Sequence, residues 1–459
     1  MTRVCTLTAL MLFTLLAGAS FGVEETPSKP NVLLILIDDL GWMDLHCQGN
    51  ARLDTPHVDR LARQGMRFTD AYAASPVCSP TRASIVTGLA PARLQLTTHI
   101  SNRKFIPEGA ALAPAETLDH LPLEQTTIAE RLRDAGYATA FFGKWHLAGV
   151  PGRDGEGLTK FYPEHQGFGI NLGGCAHGGP PSFFAPYRIH NLPDGPEGEY
   201  LPDRLAAETI KFIRGSRDKP FFVALWNYTV HWPMQAPAAL VAKYAKRLGP
   251  GIKDARYAGM IEAMDGAMGR IFAALDDGGI AEETLVIFTS DNGAFLGVGD
   301  IRPLRLGKGY LYEGGIRVPL IVRWPGRVSA DALCKTPVVS ADLYPTILAA
   351  TGLEPNKELD GVNLVPLLTG RKVLESRSLY FHYPNYAWHK QNRLGSAVRE
   401  GKYKLIERFD DDSLELYDLE ADLGEQTNLA GKLPDVAARL HGKLRHWRAE
   451  TGAALPTRR

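Results

Sequence analysis

Four stretches of this chain are almost continuously apolar and then stop abruptly on polar residues. Asn31 to Ile37 runs into Asp38-Asp39, Tyr137 to Phe142 into Gly143-Lys144-Trp145-His146, Phe221 to Trp226 into a segment carrying His231-Trp232-Pro233, and Thr284 to Thr289 into Ser290-Asp291-Asn292-Gly293. Runs of this kind, rich in β-branched and aromatic residues, are strands buried on both faces, the pattern of a parallel sheet. Open parallel sheets place their sites just outside the C-terminal strand ends, where these polar groups fall.

Between the runs lie helix patterns. Thr55 to Gly65 has a cap, a first-turn proline and a closing glycine, and Thr126 to Ala135, Leu205 to Ile213, Ala255 to Leu275 and Ser340 to Thr351 read as further helices. Pro319 to Trp324 is another strand. The alternation predicts an α/β fold, a large mainly parallel sheet flanked by helices. Past Leu364 the texture changes: Ser378 to His382, Ser396 to Arg399 and Tyr403 to Ile406 alternate like antiparallel strands, Glu400-Gly401 turns between two of them, and Leu433 to Arg448 is a helix to cover them. The expected division is 30–363 for a catalytic domain and 364–459 for a smaller α+β subdomain. Residues Gly149 to Glu199, rich in Gly, Pro and His, read as long loops over one face.

Acidic and basic residues balance at 51 each and are mixed along the chain, which excludes a general nucleic-acid or anionic-membrane binder. Residues 1–22 carry Arg3, a short apolar core and then small residues, the pattern of a cleaved signal peptide; export to the periplasm or beyond follows, with no membrane contact after cleavage. Cleavage leaves Cys47, Cys78, Cys175 and Cys334, so this is no disulfide scaffold, and at most one bridge forms among the other three if Cys78 is chemically used.

Cys78 stands in Ser75-Pro76-Val77-Cys78-Ser79-Pro80-Thr81-Arg82-Ala83-Ser84-Ile85-Val86-Thr87-Gly88. Pro80 belongs in a first helical turn, Ser79 or Cys78 is placed to cap it, and Gly88 ends it. Backbone N–H groups and Arg82 then face Cys78, which makes an anion site and predicts a lowered thiol pKa. A lone thiol is ordinarily a packing residue. Here, however, Cys-x-Pro-Thr-Arg followed by Thr-Gly resembles the signature of the type I, formylglycine-dependent sulfatases of the alkaline-phosphatase superfamily, and the similarity continues in motif order along nearly the whole chain after the leader. The resemblance implies that a formylglycine-generating enzyme oxidises Cys78 to formylglycine, whose hydrated aldehyde is the nucleophile.

Asp38, Asp39, Asp291 and Asn292 offer carboxylate and amide oxygens without imidazole or thiolate, which suits a hard cation, calcium before magnesium. Each pair alone is also common turn chemistry. By the resemblance these four positions hold one Ca2+, with modified Cys78 as a further ligand. Arg82, Lys144, His146, His231 and Lys308 form the cationic set, matched to a sulfate ester that needs its oxygens neutralised and its leaving alcohol protonated. The family mechanism carried onto them is a double displacement. The diol of modified Cys78 attacks sulfur, His231 or Lys308 protonates the departing oxygen, and His146 deprotonates the second hydroxyl to expel sulfate. Arg82 orients the diol, and Lys144 is shared between it and sulfate.

The implied partner is a sulfate monoester, with a sulfated carbohydrate expected because an exported enzyme meets extracellular glycans and because the loops from Gly149 to Glu199 and the aromatic segment Tyr383 to Trp388 offer walls for a sugar. Tyr386, Trp388 and His389 either stack on it or cover the core. His177 and Arg317 are polar neighbours of these motifs without an assigned part, and Gly314-Gly315 reads as packing. Two alternatives remain: a phosphate or phosphonate monoesterase of the same superfamily, and a noncatalytic binder of sulfated glycan.

Overall fold

Asn31–Ile37, with all seven residues buried, lies inside a nine-stranded sheet because neither of its faces carries a group that needs water. A computed structural model describes residues 29–101, 105–152, 155–355, 358–389 and 391–459; the expected leader at 1–22 falls outside them. Across the sheet the order is Val338–Val339, Met66–Tyr72, Arg317–Arg323, Thr284–Ser290, Asn31–Ile37, Phe221–Asn227, Ala138–Gly143 and Ile170–Leu172, with Ala332–Cys334 also on Met66–Tyr72. Asn31–Ile37 pairs in parallel with both Phe221–Asn227 and Thr284–Ser290, and Phe221–Asn227 in parallel with Ala138–Gly143. The sheet is mixed because Arg317–Arg323 runs antiparallel to both its neighbours. After Thr284–Ser290 the chain spends residues 291–316 on the site side and returns directly through Arg317–Arg323, so no crossover helix carries it back before it pairs.

The helices follow their local signals. Ile128–Asp134 starts on a capping box in which Thr127 accepts from the Glu130 N–H and Glu130 accepts from the Thr127 N–H. Ala255–Asp277 starts at Asp254, whose side chain accepts from the Arg256 N–H. Among the described residues no helix is long and apolar enough to cross a membrane, and Cys47, Cys78, Cys175 and Cys334 are all free thiols.

The C-terminal strands form a separate antiparallel sheet in the order Ser378–Tyr383, Gly395–Glu400, Tyr403–Arg408 and Leu414–Asp418. Gly401 turns the central hairpin with a φ of 56°, a conformation that only glycine adopts without cost. Pro434–Thr451 covers one face, packing Leu440, Leu444 and Trp447 against Val398, Leu405 and Leu416; each such side chain stabilises by about 1.5–3 kcal/mol when fully buried. The other face shares a core with the main domain, where Leu379, Phe381 and Ile406 meet Tyr72, Val77, Leu311 and Ile316. That seam anchors the loop leading out of the site.

Candidate active site

Cys78–Thr87 is a helix with every residue buried, and Gly88 ends it at a φ of 72°. The cap differs from expectation. Val77 is the N-cap and makes no side-chain cap bond, Cys78 is the first helical residue, and the Ser79 hydroxyl accepts from the Ile100 N–H. Thr81 secures the entry instead, its hydroxyl accepting from the Ser75 N–H at 3.1 Å. This frees the Cys78 side chain to face the strand ends.

There it meets the acidic residues: Cys78, Asp38 and Asp39 each offer a ligand atom within 4.8 Å of the others. Asp291 and Asn292 arrive from the adjacent parallel strand, Asp291 Oδ1 accepting the Asp39 N–H at 3.2 Å and Asn292 Nδ2 donating to Asp39 Oδ1 at 2.8 Å. Asp39 itself adopts a φ of 63°, the strained left-handed region that folds reserve for sites. Three buried oxygens of these residues lack a hydrogen-bond partner: Asp38 Oδ1, Asp39 Oδ2 and Asn292 Oδ1. Asp291 is more committed, since Arg82 contacts its other oxygen at 2.8 Å. A hard cation fits this donor set, because orphaned buried oxygens otherwise cost their desolvation.

The cations close the ring. Lys144 Nζ lies 2.7 Å from Asp38 Oδ2, Lys308 Nζ 2.5 Å from Asp39 Oδ1, and Arg82 is 3.6 Å from Asp38 Oδ1. Burial raises Asp38 to about 8, with Lys144 opposing. In Asp39 burial works in the same direction, but Lys308, His231 and Lys144 outweigh it and hold the carboxyl well below its usual range. Arg82 and Lys144 likewise outweigh burial and lower Asp291. The expectation of an acidic Cys78 is overturned: burial lifts its thiol to about 11 although Lys144 and Lys308 oppose it. At neutral pH the unmodified side chain is therefore a thiol, because burial removes the water that would solvate a thiolate.

His146, at a φ of 59°, sits with Nε2 2.7 Å from the Ile100 carbonyl, which can only accept, so Nε2 carries the hydrogen; Nδ1 is buried and lacks a partner. His231 Nδ1 lies 2.9 Å from the Trp232 carbonyl, which by the same reasoning leaves Nε2 as the nitrogen on the Asp39 side, 3.9 Å from Oδ2. Burial, then Lys308, pushes His231 down to about 3. Gly178 and Gly179 lie against the two rings: a Cβ on Gly178 would stand 2.8 Å from His146, and one on Gly179 2.5 Å from His231. Without a side chain at either position, the backbone at Gly178 and Gly179 lies directly against both imidazoles.

A cavity of about 260 Å3 opens above Cys78, lined also by His146, His231 and Lys308 and rimmed by Trp232, Phe295, Trp388 and His99. Phe295 and Trp388 stack at 5.5 Å, and Lys308 Nζ stands 5.5 Å from the Trp388 ring. All six expected catalytic residues and all the expected metal ligands thus gather at one end of the sheet. Larger cavities of about 550 and 590 Å3 lie at the opposite end, beside Pro30 and Asn31, with none of these groups. Sequence reasoning missed Phe295, Ile100 and His99, which sit in loops with no periodicity; of these, Phe295 alone offered a signal, lying just after Asp291-Asn292-Gly293. Arg317 belongs elsewhere, paired with Asp70 and Glu313. Gly293, Gly314 and Gly315 are packing positions, where a Cβ would come within 2.0 Å or less of a backbone oxygen.

Comparison with known proteins agrees with this geometry. The family model described as Sulfatase matches residues 30–353, and that described as N-sulphoglucosamine sulphohydrolase, C-terminal, matches residues 305–450. The chain is 32% identical to a sulfatase of Formosa agariphila, over 96% of this chain and 93% of that protein, and 34% identical to human arylsulfatase A, over 93% and 89%. Among solved structures, that of Ps i-CgsB superposes with a TM-score of 0.78 at 28% identity, covering 92% of this chain and 93% of the other. With matches spanning both sheets, and with carboxylates, amide, cations and cysteine gathered at the strand ends, this chain belongs to the sulfatase family of the alkaline-phosphatase superfamily and is a sulfuric ester hydrolase.

Proposed function

We propose that this sulfatase removes sulfate from a sulfated carbohydrate, using Cys78 matured to formylglycine and one calcium ion held by Asp38, Asp39, Asp291 and Asn292. The observation that carries the reading is the grouping of Asp38, Asp39 and Cys78, whose ligand atoms lie within 4.8 Å of one another, together with buried oxygens of Asp38, Asp39 and Asn292 that lack a hydrogen-bond partner. In the matured protein the hydrated aldehyde would supply the nucleophile and the ion would polarise it and the sulfate oxygens.

The chain's own residues do the rest. Arg82, Lys144 and Lys308 oppose the charge of the sulfate from buried positions, where such contacts act more strongly than in water. His231, uncharged and fixed through its Nδ1–H to the Trp232 carbonyl, presents a proton-free Nε2 to the cavity, so Lys308 delivers the proton to the leaving oxygen. His146 donates through Nε2 to Ile100, so Nδ1 is its basic atom for the second step. Trp232, Phe295 and Trp388 border the cavity with aromatic surface.

A carbohydrate is favoured by the aromatic rim and by relatives whose names specify sugars. N-acetylgalactosamine-6-sulfatase of the dog is 32% identical over 83% of this chain and 74% of its own length, and the Ps i-CgsB complex with k-i-k-neocarrahexaose superposes with a TM-score of 0.77 at 27% identity. The leader at 1–22 supports export to the periplasm or outside the cell, and the separate sheet after residue 364 supports the division into 30–363 and 364–459. The test is sulfate release by matured protein from sulfated saccharides, aryl sulfates and matched phosphate esters, with peptide mass analysis at Cys78 and metal analysis. Saccharide turnover with formylglycine and calcium present carries the proposal. Preference for phosphate esters, or turnover of aryl sulfates alone, overturns it.

A further inference from the structure

Beside the cavity over Cys78 lies a second one, of about 410 Å3, walled by residues 98–101, Phe105, Ile106 and residues 113–119 and by Asn385 and Tyr386. His99, Ile100 and Ser101 line both, so the two are neighbours across one short stretch of chain. Three rings stand at the junction. His99 lies 5.4 Å edge-on from Trp388, Phe105 is 5.6 Å from His99 and 6.1 Å from Trp388; Trp388 borders the first cavity, Phe105 the second and His99 both. Burial, with Lys308 and Lys144 adding to it, pushes His99 down to about 3, so the ring is uncharged; Nδ1 lies 3.4 Å from the Thr98 hydroxyl, which leaves Nε2 for a ligand.

Resting on the carbohydrate reading above, we infer that the second cavity is a subsite for the sugar unit next to the sulfated one, with the ring of His99 recognising a hydroxyl at the junction. The chemistry of the lining suits a sugar: Phe105 and Tyr386 offer aromatic faces, while Glu116 offers carboxylate oxygens that accept from hydroxyls. Tyr386 is only half-buried and Glu116 is exposed, so a chain of further units can leave toward solvent. Asn385 is anchored through Nδ2 to Thr97 Oγ1 at 2.9 Å, which fixes the loop carrying Tyr386. The two cavities together fall within the roughly 300–1,000 Å3 typical of ligand clefts, whereas the first alone is small for more than one sugar.

The test compares kcat/KM on a sulfated monosaccharide and on disaccharides in which the same unit carries one unsulfated neighbour. The enzymes are the wild type, Tyr386→Ala and Glu116→Trp, the last to fill the cavity from an exposed position, each checked by thermal melting. Wild type should prefer its best disaccharide by about tenfold or more, since contacts away from the sulfate act on the transition state through positioning. Both variants should bring that ratio toward one. Equal kcat/KM on mono- and disaccharides in wild type, or an unchanged ratio in both folded variants, overturns the subsite while leaving the carbohydrate reading standing. Turnover of aryl sulfates with none of any saccharide overturns both.

Discussion

Arg82 and Asp291 stand 209 positions apart in sequence and meet through two 2.8 Å contacts, from Nε and a terminal nitrogen of Arg82 to Oδ2 of Asp291, with both side chains fully buried. The same guanidinium also donates to the Lys144 carbonyl and approaches Asp38. One planar fork therefore ties together three segments: the Cys78 helix, the turn after Ala138–Gly143 and the acidic strand ends.

Arg82→Lys keeps the charge and loses the fork, since an ammonium cannot span Asp291 and the Lys144 carbonyl together. Activity should fall by about 100-fold or more, as for loss of an oriented donor at a reacting group, and urea midpoints should drop as well. Arg82→Met, which leaves Asp291 unpaired, should cost about 3–5 kcal/mol. Near wild-type turnover and midpoint in the lysine variant would show that the fork does not position the site.

Cys78→Ala should fold and melt like wild type yet release no sulfate, because the side chain is small, buried and proposed as the sole precursor of the nucleophile. The check pairs a thermal melt with sulfate release on aryl and sugar substrates. Residual turnover at even a few per cent of wild type would place the nucleophile elsewhere.

Asn292→Ala removes one of the three unpartnered oxygens without changing the net charge. Calcium added to metal-stripped wild type should raise Tm, with a stabilisation of about 2.7 kcal/mol at one hundred times its Kd. The variant should need far more calcium for the same shift and should bind less by metal analysis. An identical calcium titration in both proteins would remove Asn292 from the ligand set.

The strand ends were legible because a run buried on both faces must be apolar throughout, so Asp38, Asp39, Asp291 and Asn292 announce themselves by interrupting it. Strand order was not. Arg317–Arg323 reads like any buried strand, and its reversed direction depends on the route of residues 291–316, which leaves no periodicity. Met66–Tyr72 escaped notice because its polar residues tolerate half-burial beneath Arg317. The motif named Cys78, but its acidity was misjudged: helix position is visible in sequence, whereas complete desolvation is a property of everything packed around it. An aromatic loop was expected from Tyr386, Trp388 and His389; the structure brings His99 and Phe105 beside Trp388 from a stretch with no pattern.

The seam between the two sheets predicts a pH effect on stability. Lys404 Nζ, fully buried, lies 2.9 Å from both Glu313 Oε1 and Glu425 Oε1, so one ammonium serves two carboxylates. Glu313 takes the larger share of positive charge, with Arg317 at 3.1 Å and the Tyr72 hydroxyl donating at 2.7 Å, and its carboxyl is lowered because Lys404 and Arg317 outweigh burial. Glu425 is raised from 4.5 to about 7, by burial first and by Glu313, against the pull of Lys404. A carboxyl raised in the fold binds a proton that the unfolded chain has released. Its contribution to stability is therefore fully present below about pH 4.5 and is lost as pH rises through about 7. Glu425→Gln imitates the protonated form, and its amide can still accept from the Glu313 N–H, which now donates to Glu425 Oε2 at 2.7 Å. Whatever constant cost the amide adds beside Lys404, the variant lacks this proton release. Urea unfolding at pH 5 and pH 8 should show wild type losing more stability across the interval than Glu425→Gln. Parallel pH profiles for the two proteins would mean that Glu425 is already ionised in the fold at pH 5.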